Sequence, residues 1–149
     1  MSSPRHLISV LTYGDASRAA RTLRCLSKQE GAPFELLVVD NTPDDSLAAA
    51  LRAEFPPLEV VRNPSNLGYA GGHNVALDLA RARDAESVLL CNHDIEVGPR
   101  FLADMLAAAS SSEDVGLVGA VEMDADGKRV RAAGGSGLRG LRFQAHWGT

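Results

Sequence analysis

The sequence predicts an α/β fold in which a mostly parallel sheet carries helices on both faces. Three observations carry that expectation: five short apolar runs, helix-spaced segments alternating with them, and polar residues gathered where the runs end. The runs are residues 7–13, 34–39, 58–61, 87–91 and 115–121, and their β-branched or leucine-rich composition reads as buried strand. The resulting order, βαβαβαβαβ, calls for parallel neighbours joined by right-handed crossovers.

Each intervening segment has its own signals. The first puts Ala16, Ala19, Ala20, Leu23 and Leu26 on one stripe, with Asp15 where a helix cap belongs. The second carries Leu47, Leu51 and Phe55 and stops at Pro56-Pro57; Asp44 and Asp45 ahead of it suit either capping or ligand binding. The third carries Val75, Ala76, Leu79 and Ala80 behind a glycine-rich connection over 63–72. The fourth opens with Pro99 at a favoured first helical position and repeats apolar groups at Phe101, Leu102, Met105, Leu106 and Ala109. Asp124-Ala125-Asp126-Gly127 is a hairpin-turn signal that returns the chain through 128–132. From Gly134 the pattern fails, and Phe143 and Trp147 have no patterned partner. A single domain is expected over 1–149, well patterned to 133, with an irregular glycine-rich end and an incomplete C-terminal part.

Composition narrows the function. At 149 residues, 45% apolar and 23% charged, the chain suits one globular domain. A net charge of -4 excludes a broad basic face, so nucleic acid is not an expected partner and any phosphate site must be local. The amino terminus lacks a signal-peptide pattern, and no run approaches the roughly 20 apolar residues that cross a bilayer. A cytoplasmic protein without a membrane span is expected, peripheral at the inner membrane face if part of a longer chain. Cys25 and Cys91 stand in no metal or redox spacing and read as buried reduced thiols.

Parallel sheets bind ligands beyond the carboxyl ends of their strands. The second run ends in Val38-Val39-Asp40-Asn41-Thr42, placing Asp40 as a solvated carboxylate able to accept from a base or ribose. The third leads into Asn63-Pro64-Ser65-Asn66-Leu67-Gly68-Tyr69-Ala70-Gly71-Gly72-His73-Asn74, which combines glycines with a helix amino end that offers N–H groups to an anion. Neither a GK[ST] P-loop nor a GxGxxG turn is present, which sets aside a dehydrogenase-like dinucleotide domain. The fourth runs out as Val88-Leu89-Leu90-Cys91-Asn92-His93-Asp94-Ile95-Glu96. Asn92 and Asp94 share a side if strand geometry persists, and such oxygen ligands suit a hard divalent cation completed by phosphate and water. His93 and Glu96 serve as readily in a capped turn.

Four ordered blocks together resemble the family-two glycosyltransferases of the GT-A type: Ile8-Ser9-Val10-Leu11-Thr12-Tyr13, Leu37-Val38-Val39-Asp40-Asn41, the stretch from Asn66 to Asn74, and Leu89-Leu90-Cys91-Asn92-His93-Asp94. The Gly-Tyr-Ala-Gly-Gly form of the third block, with Val115-Gly116-Leu117-Val118-Gly119, Asp126-Gly127 and Gly134-Gly135, is most similar to the bacterial rhamnosyltransferase-like branch. The resemblance covers the chain from Leu7 to about Gly135. It implies a Rossmann-like nucleotide-sugar-binding fold and inverting transfer of a sugar such as rhamnose from a UDP- or dTDP-sugar donor to a glycan or other hydroxyl acceptor. By the same resemblance, Thr12 and Tyr13 line the base, Asp40 accepts from it, and Asn66, Gly68 and His73 complete the nucleotide site. Asp94, with Asn92 at the family's DxD position, holds Mg²⁺ or Mn²⁺ on the diphosphate. Two residues depart from the family pattern: Asn92 replaces an acid, and His73 stands where many relatives carry arginine. The general base is expected beyond Thr149, so no catalytic residue is assigned within the chain. The alternative function is a non-catalytic nucleotide-sugar-binding or interaction module. A sheet without its last neighbours also implies a homo-oligomer through an exposed edge.

Overall fold

The computed structural model describes residues 6–124 and 126–133. The chain divides after Ala103 into two compact units.

In the first unit, β1 (His6–Thr12), β2 (Glu35–Asp40), β3 (Glu59–Arg62) and β4 (Ser87–Asn92) form one parallel sheet of order β3-β2-β1-β4. The connecting helices are α1 (Ala16–Leu26), α2 (Ser46–Glu54) and α3 (Gly68–Ala82). The chain steps outward from β1 to β3, then returns through α3 to the other side of β1. Right-handed crossovers therefore put α1 and α2 on one face and α3 on the opposite one. The packing agrees. Leu7, Leu11, Leu37 and Val39 lie against Ala76 and Ala80 of α3, while the alternate residues Ile8, Val10 and Val38 are buried on the other face. There α1 and α2 pack on each other and bury Ala19, Leu23, Leu26, Leu47, Ala48 and Leu51. Each fully buried leucine or valine contributes about 1.5–3 kcal/mol. The register sets Thr12 beside Asp40, Asp40 beside Arg62, and Leu11 beside Asn92, so the polar strand ends share one edge of the sheet.

Local chemistry explains the helix boundaries. Asp15 caps α1, its Oδ1 accepting from the backbone N–H groups of Ser17 at 3.0 Å and Arg18 at 3.1 Å. Ahead of α2 it is Asp44 that accepts, from Ser46 N–H at 2.9 Å. Asp45 makes no cap bond and instead pairs with Arg52 and Arg62, each at 3.5 Å. The third helix begins at Gly68, so much of the segment that reads as a glycine-rich loop is helical. Gly72 is there for close approach: an added Cβ would lie 2.4 Å from Leu11 Cδ1 and 3.1 Å from Asn41 Nδ2. Pro99 lies in a turn just ahead of α4 (Phe101–Ala109). The Gln29 amide secures this turn, donating to Gly98 O and accepting from Leu102 N–H, both at 2.8 Å. Cys91 is buried, and burial pushes its thiol up to about 12; Cys25 is only half-buried, and both are free thiols.

The second unit departs from expectation. Residues 115–120 form no strand; instead β5 (Val121–Met123) pairs antiparallel with β6 (Val130–Ala133). Gly116 and Gly119 bring maximal backbone entropy and no side chain to pack, and Leu117 is 80% exposed. The hairpin turn itself forms as read, with Gly127 N–H donating to Asp124 O at 2.9 Å and Gly127 at φ +69°. Gly134, Gly135, Phe143 and Trp147 lie outside the described residues. Among the described residues no helix is long and apolar enough to cross a membrane.

Candidate functional site

A cleft of about 300 Å³ opens where β1 and β4 end and α3 begins. Leu11, Thr12 and Tyr13 line it from the first strand, Asn41 from the second, Asn66, Gly68 and Tyr69 from the start of α3, and Asn92, His93 and Asp94 from the fourth. Six of the eight residues expected in the site, namely Thr12, Tyr13, Asn66, Gly68, Asn92 and Asp94, thus meet in one place. Asp40 and His73 lie behind this lining. A larger hollow of about 530 Å³ runs between α1 and α2, past Arg21, Arg24 and Glu54, and shares no lining residue with the cleft.

Asp40 is fully buried, which corrects the expectation of a solvated carboxylate. Its strand lies between β1 and β3, and the turn through Thr42 closes over its end. Oδ1 accepts from Thr42 N–H at 2.8 Å and from the Thr12 hydroxyl at 3.3 Å, whereas Oδ2 has no hydrogen-bond partner. Tyr13 is half-exposed at the mouth of the cleft.

His73 is buried behind Tyr69, whose ring meets it edge-on at 4.6 Å. Neither ring nitrogen makes a hydrogen bond. Burial lowers the pKa of the imidazole below the ordinary histidine value, and the neighbouring Asn92 side chain opposes this in part.

The fourth strand ends at Asn92, and His93 and Asp94 form a turn. His93 Nδ1 lies 3.3 Å from Leu11 O, and the Thr22 hydroxyl donates to Ile95 O at 2.8 Å, so the turn is held from β1 and from α1. Asn92 and Asp94 are both exposed toward the cleft. Among the described residues no cluster of three or more His, Cys, Asp or Glu side chains could hold a metal by itself. One carboxylate and one amide oxygen fit a hard divalent cation whose remaining positions are filled by phosphate and water. Across the cleft, α3 has neither a side-chain cap at Leu67 nor an acid in its first turn; Asn66 Oδ1 accepts from Gly68 N–H at 2.9 Å, but no charged side chain offsets the helix's positive end.

Sequence reasoning missed the buried amides. Asn41 Nδ2 donates to Gly68 O at 3.0 Å, and its Oδ1 accepts from Asn63 Nδ2 at 2.7 Å and Leu67 N–H at 3.4 Å. Thr42 Oγ1 accepts from Gly14 N–H at 2.9 Å. The available signal was the placement of Asn41, Thr42 and Asn63 immediately after apolar strands, where a polar residue is either solvated or buried with partners.

Residues 8–143 match the family model for glycosyl transferase family 2. An N-acetylglucosaminyl-diphospho-decaprenol L-rhamnosyltransferase of Mycobacterium tuberculosis is 27% identical over 128 residues, covering 80% of this chain and 42% of that protein. The structure is similar to S. aureus TarS 1-349 in complex with UDP-GlcNAc, with TM-score 0.54, 29% identity, and 69% of this chain against 30% of that one. It is also similar to the mannosyltransferase PcManGT from Pyrobaculum calidifontis in complex with GDP-Man and Mn²⁺, with TM-score 0.55, 29% identity, and 71% against 31%. The chain spans between 25% and 42% of the length of the curated relatives it matches. These likenesses bear out the GT-A, Rossmann-like arrangement of sheet and helices. On the family match, which takes in most of its length, the chain belongs to glycosyl transferase family 2.

Proposed function

We propose that this chain carries the donor and metal site of an inverting glycosyltransferase that moves a sugar such as rhamnose from a UDP- or dTDP-sugar to a glycan or other hydroxyl acceptor. The observation that carries the reading is the convergence of Thr12, Tyr13, Asn66, Gly68, Asn92 and Asp94 on one cleft at the strand ends. Tyr13 and Thr12 border the base. Asp40 Oδ2, a buried carboxylate oxygen without a donor, accepts a base N–H, which reaches it only as the residues above it shift. The amino end of α3 would face the diphosphate, and Asp94 with the Asn92 side-chain oxygen would hold Mg²⁺ or Mn²⁺. When bound there, the ion would supply Lewis-acid stabilisation of the leaving diphosphate. His73, neutral behind Tyr69 and Asn92, backs the wall between helix and turn. The acceptor hydroxyl attacks the anomeric carbon opposite the diphosphate as the bond from that carbon to the diphosphate oxygen breaks, which inverts the configuration, and the hydroxyl proton passes to a general base outside the described residues. The rhamnosyltransferase relative supports the sugar, and the UDP-GlcNAc and GDP-Man complexes of the similar structures support the donor class.

The test is a thermal-shift and calorimetric panel of UDP, dTDP, GDP and their sugars, with and without Mn²⁺. A ligand at a hundred times its dissociation constant should stabilise the chain by about 2.7 kcal/mol. Absence of any nucleotide response sinks the reading, and a preference for GDP overturns the assignment of the base.

A further inference from the structure

The side chain of Asn41 uses one oxygen and one nitrogen to join three segments. Its Oδ1 accepts from Asn63 Nδ2 at the end of β3 and from Leu67 N–H, and its Nδ2 donates to Gly68 O. Leu67 N–H can only donate and Gly68 O can only accept, so these partners fix which end of the amide points where. Its own N–H donates to Thr12 O at 3.0 Å, and Asn63 N–H donates to Asp40 O at 2.9 Å, so the residue is fastened to three strand ends. It is 3% exposed. The same Nδ2 lies against the bare Cα of Gly72, where a Cβ would come within 3.1 Å. The start of α3 is thereby drawn down onto the sheet, and with it Asn66, Gly68 and Tyr69, which form one wall of the cleft opposite Asn92 and Asp94.

We infer that Asn41 is a positioning residue: by holding the 66–69 wall to the strand ends, it sets the width of the cleft that takes the nucleoside diphosphate. The inference rests on the donor-site reading above. Asn41→Asp is the informative variant. A carboxylate keeps both accepted hydrogen bonds but loses the donor to Gly68 O and sets a negative oxygen against that carbonyl. Asn41→Ala removes all three bonds and leaves Asn63 Nδ2 and Leu67 N–H without their acceptor, so Asp is also the safer variant to fold.

The experiment uses the full 149-residue chain and two readouts: amide hydrogen exchange, and UDP titration with Mn²⁺. In Asn41→Asp, the hydrogen-bonded amides of Leu67 and Gly68 should lose protection while those of Val10 and Val38 keep theirs, and UDP affinity should fall by about tenfold or more. Unchanged exchange at Leu67 and Gly68 overturns the clamp, whatever happens to UDP. A loosened wall with full UDP affinity overturns its control of the site. A wild-type chain that binds no UDP, dTDP or GDP refutes the donor-site reading, and with it the role assigned to the clamp, even where exchange shows that the clamp itself exists.

Discussion

Replacing Asp40 with asparagine and with alanine separates its structural role from its proposed contact with the base. Oδ1 is bound to Thr42 N–H and the Thr12 hydroxyl; Oδ2 is bound to nothing. Asp40→Ala strands the buried Thr42 N–H, a loss of about 1–3 kcal/mol, while the Thr12 hydroxyl retains Val39 O at 3.4 Å. Asp40→Asn keeps an oxygen at the Oδ1 position, because Thr42 N–H needs an acceptor there, and removes a buried carboxylate. Its stability should match or exceed the wild type. That orientation also puts an NH₂ group where Oδ2 was, facing the base donor with another donor. Both variants should therefore lose about 1.5–3 kcal/mol of UDP or dTDP affinity, roughly 10- to 150-fold, although only alanine is destabilised. Urea unfolding gives the first quantity and isothermal calorimetry the second. An asparagine variant that binds either nucleotide as the wild type does would falsify Oδ2 as the acceptor of the base.

Further outcomes are expected. Asp94→Ala should abolish most of the Mg²⁺ or Mn²⁺ enhancement of UDP binding; equal enhancement in the variant, measured by calorimetry, rules out Asp94 as the ligand. The Asp15 carboxyl is held below its ordinary value of 3.8, chiefly by the Ser17 hydroxyl and then by Arg18 N–H. Its folded pKa is depressed, so the cap contributes fully above that value and the contribution is lost as pH falls through the folded pKa; the stability gap between wild type and Asp15→Ala should close on acidification, and a gap constant to pH 2 refutes the cap. Transfer to glycan acceptors by this chain alone should stay below about 1 s⁻¹, because Asp94, the carboxylate lining the cleft among the described residues, is the proposed metal ligand and so not free to act as base; faster turnover places a base within these residues. Among the described residues β4 ends the sheet with Leu90 partly exposed, so light scattering should detect self-association, and a monodisperse monomer refutes an open edge.

Four strands and four helices were legible, and most clearly where an element was written in more than one register. α1 has both an apolar stripe and Asp15 as its cap, and α2 has Leu47 and Leu51 as well as a proline stop. The run at 115–121 had apolarity alone, broken by Gly116 and Gly119, and it failed. The start of α3 was misplaced because glycine signals a turn by default, whereas Gly72 serves contact with Leu11, which no local pattern reveals. Burial of Asp40 and His73 escaped for the same reason: strand-end polarity looks alike in solvent or under a roof, and the roof comes from residues distant in sequence. The cleft was legible as a set of strand ends; the amides that fasten it were not.

The strand order also sets a sequence of events in time. The pairings of β1 with β2 and of β2 with β3 each join elements one helix apart, so they close short loops. β4 must find β1 across nearly the whole unit: His6 and Ser87, hydrogen-bonded at 2.9 Å, are 81 residues apart. Loop-closure entropy places this contact late in folding, after a three-stranded core can already exist. Asn92 and Asp94 come with it. On the proposed donor-site reading, a chain that has folded every other element should still lack the contacts to a metal-bound diphosphate, and one whose fourth strand detaches should lose them before it loses its core. On that reading donor binding requires the fourth strand to be docked, so a nascent or partly opened chain should not sequester nucleotide sugar.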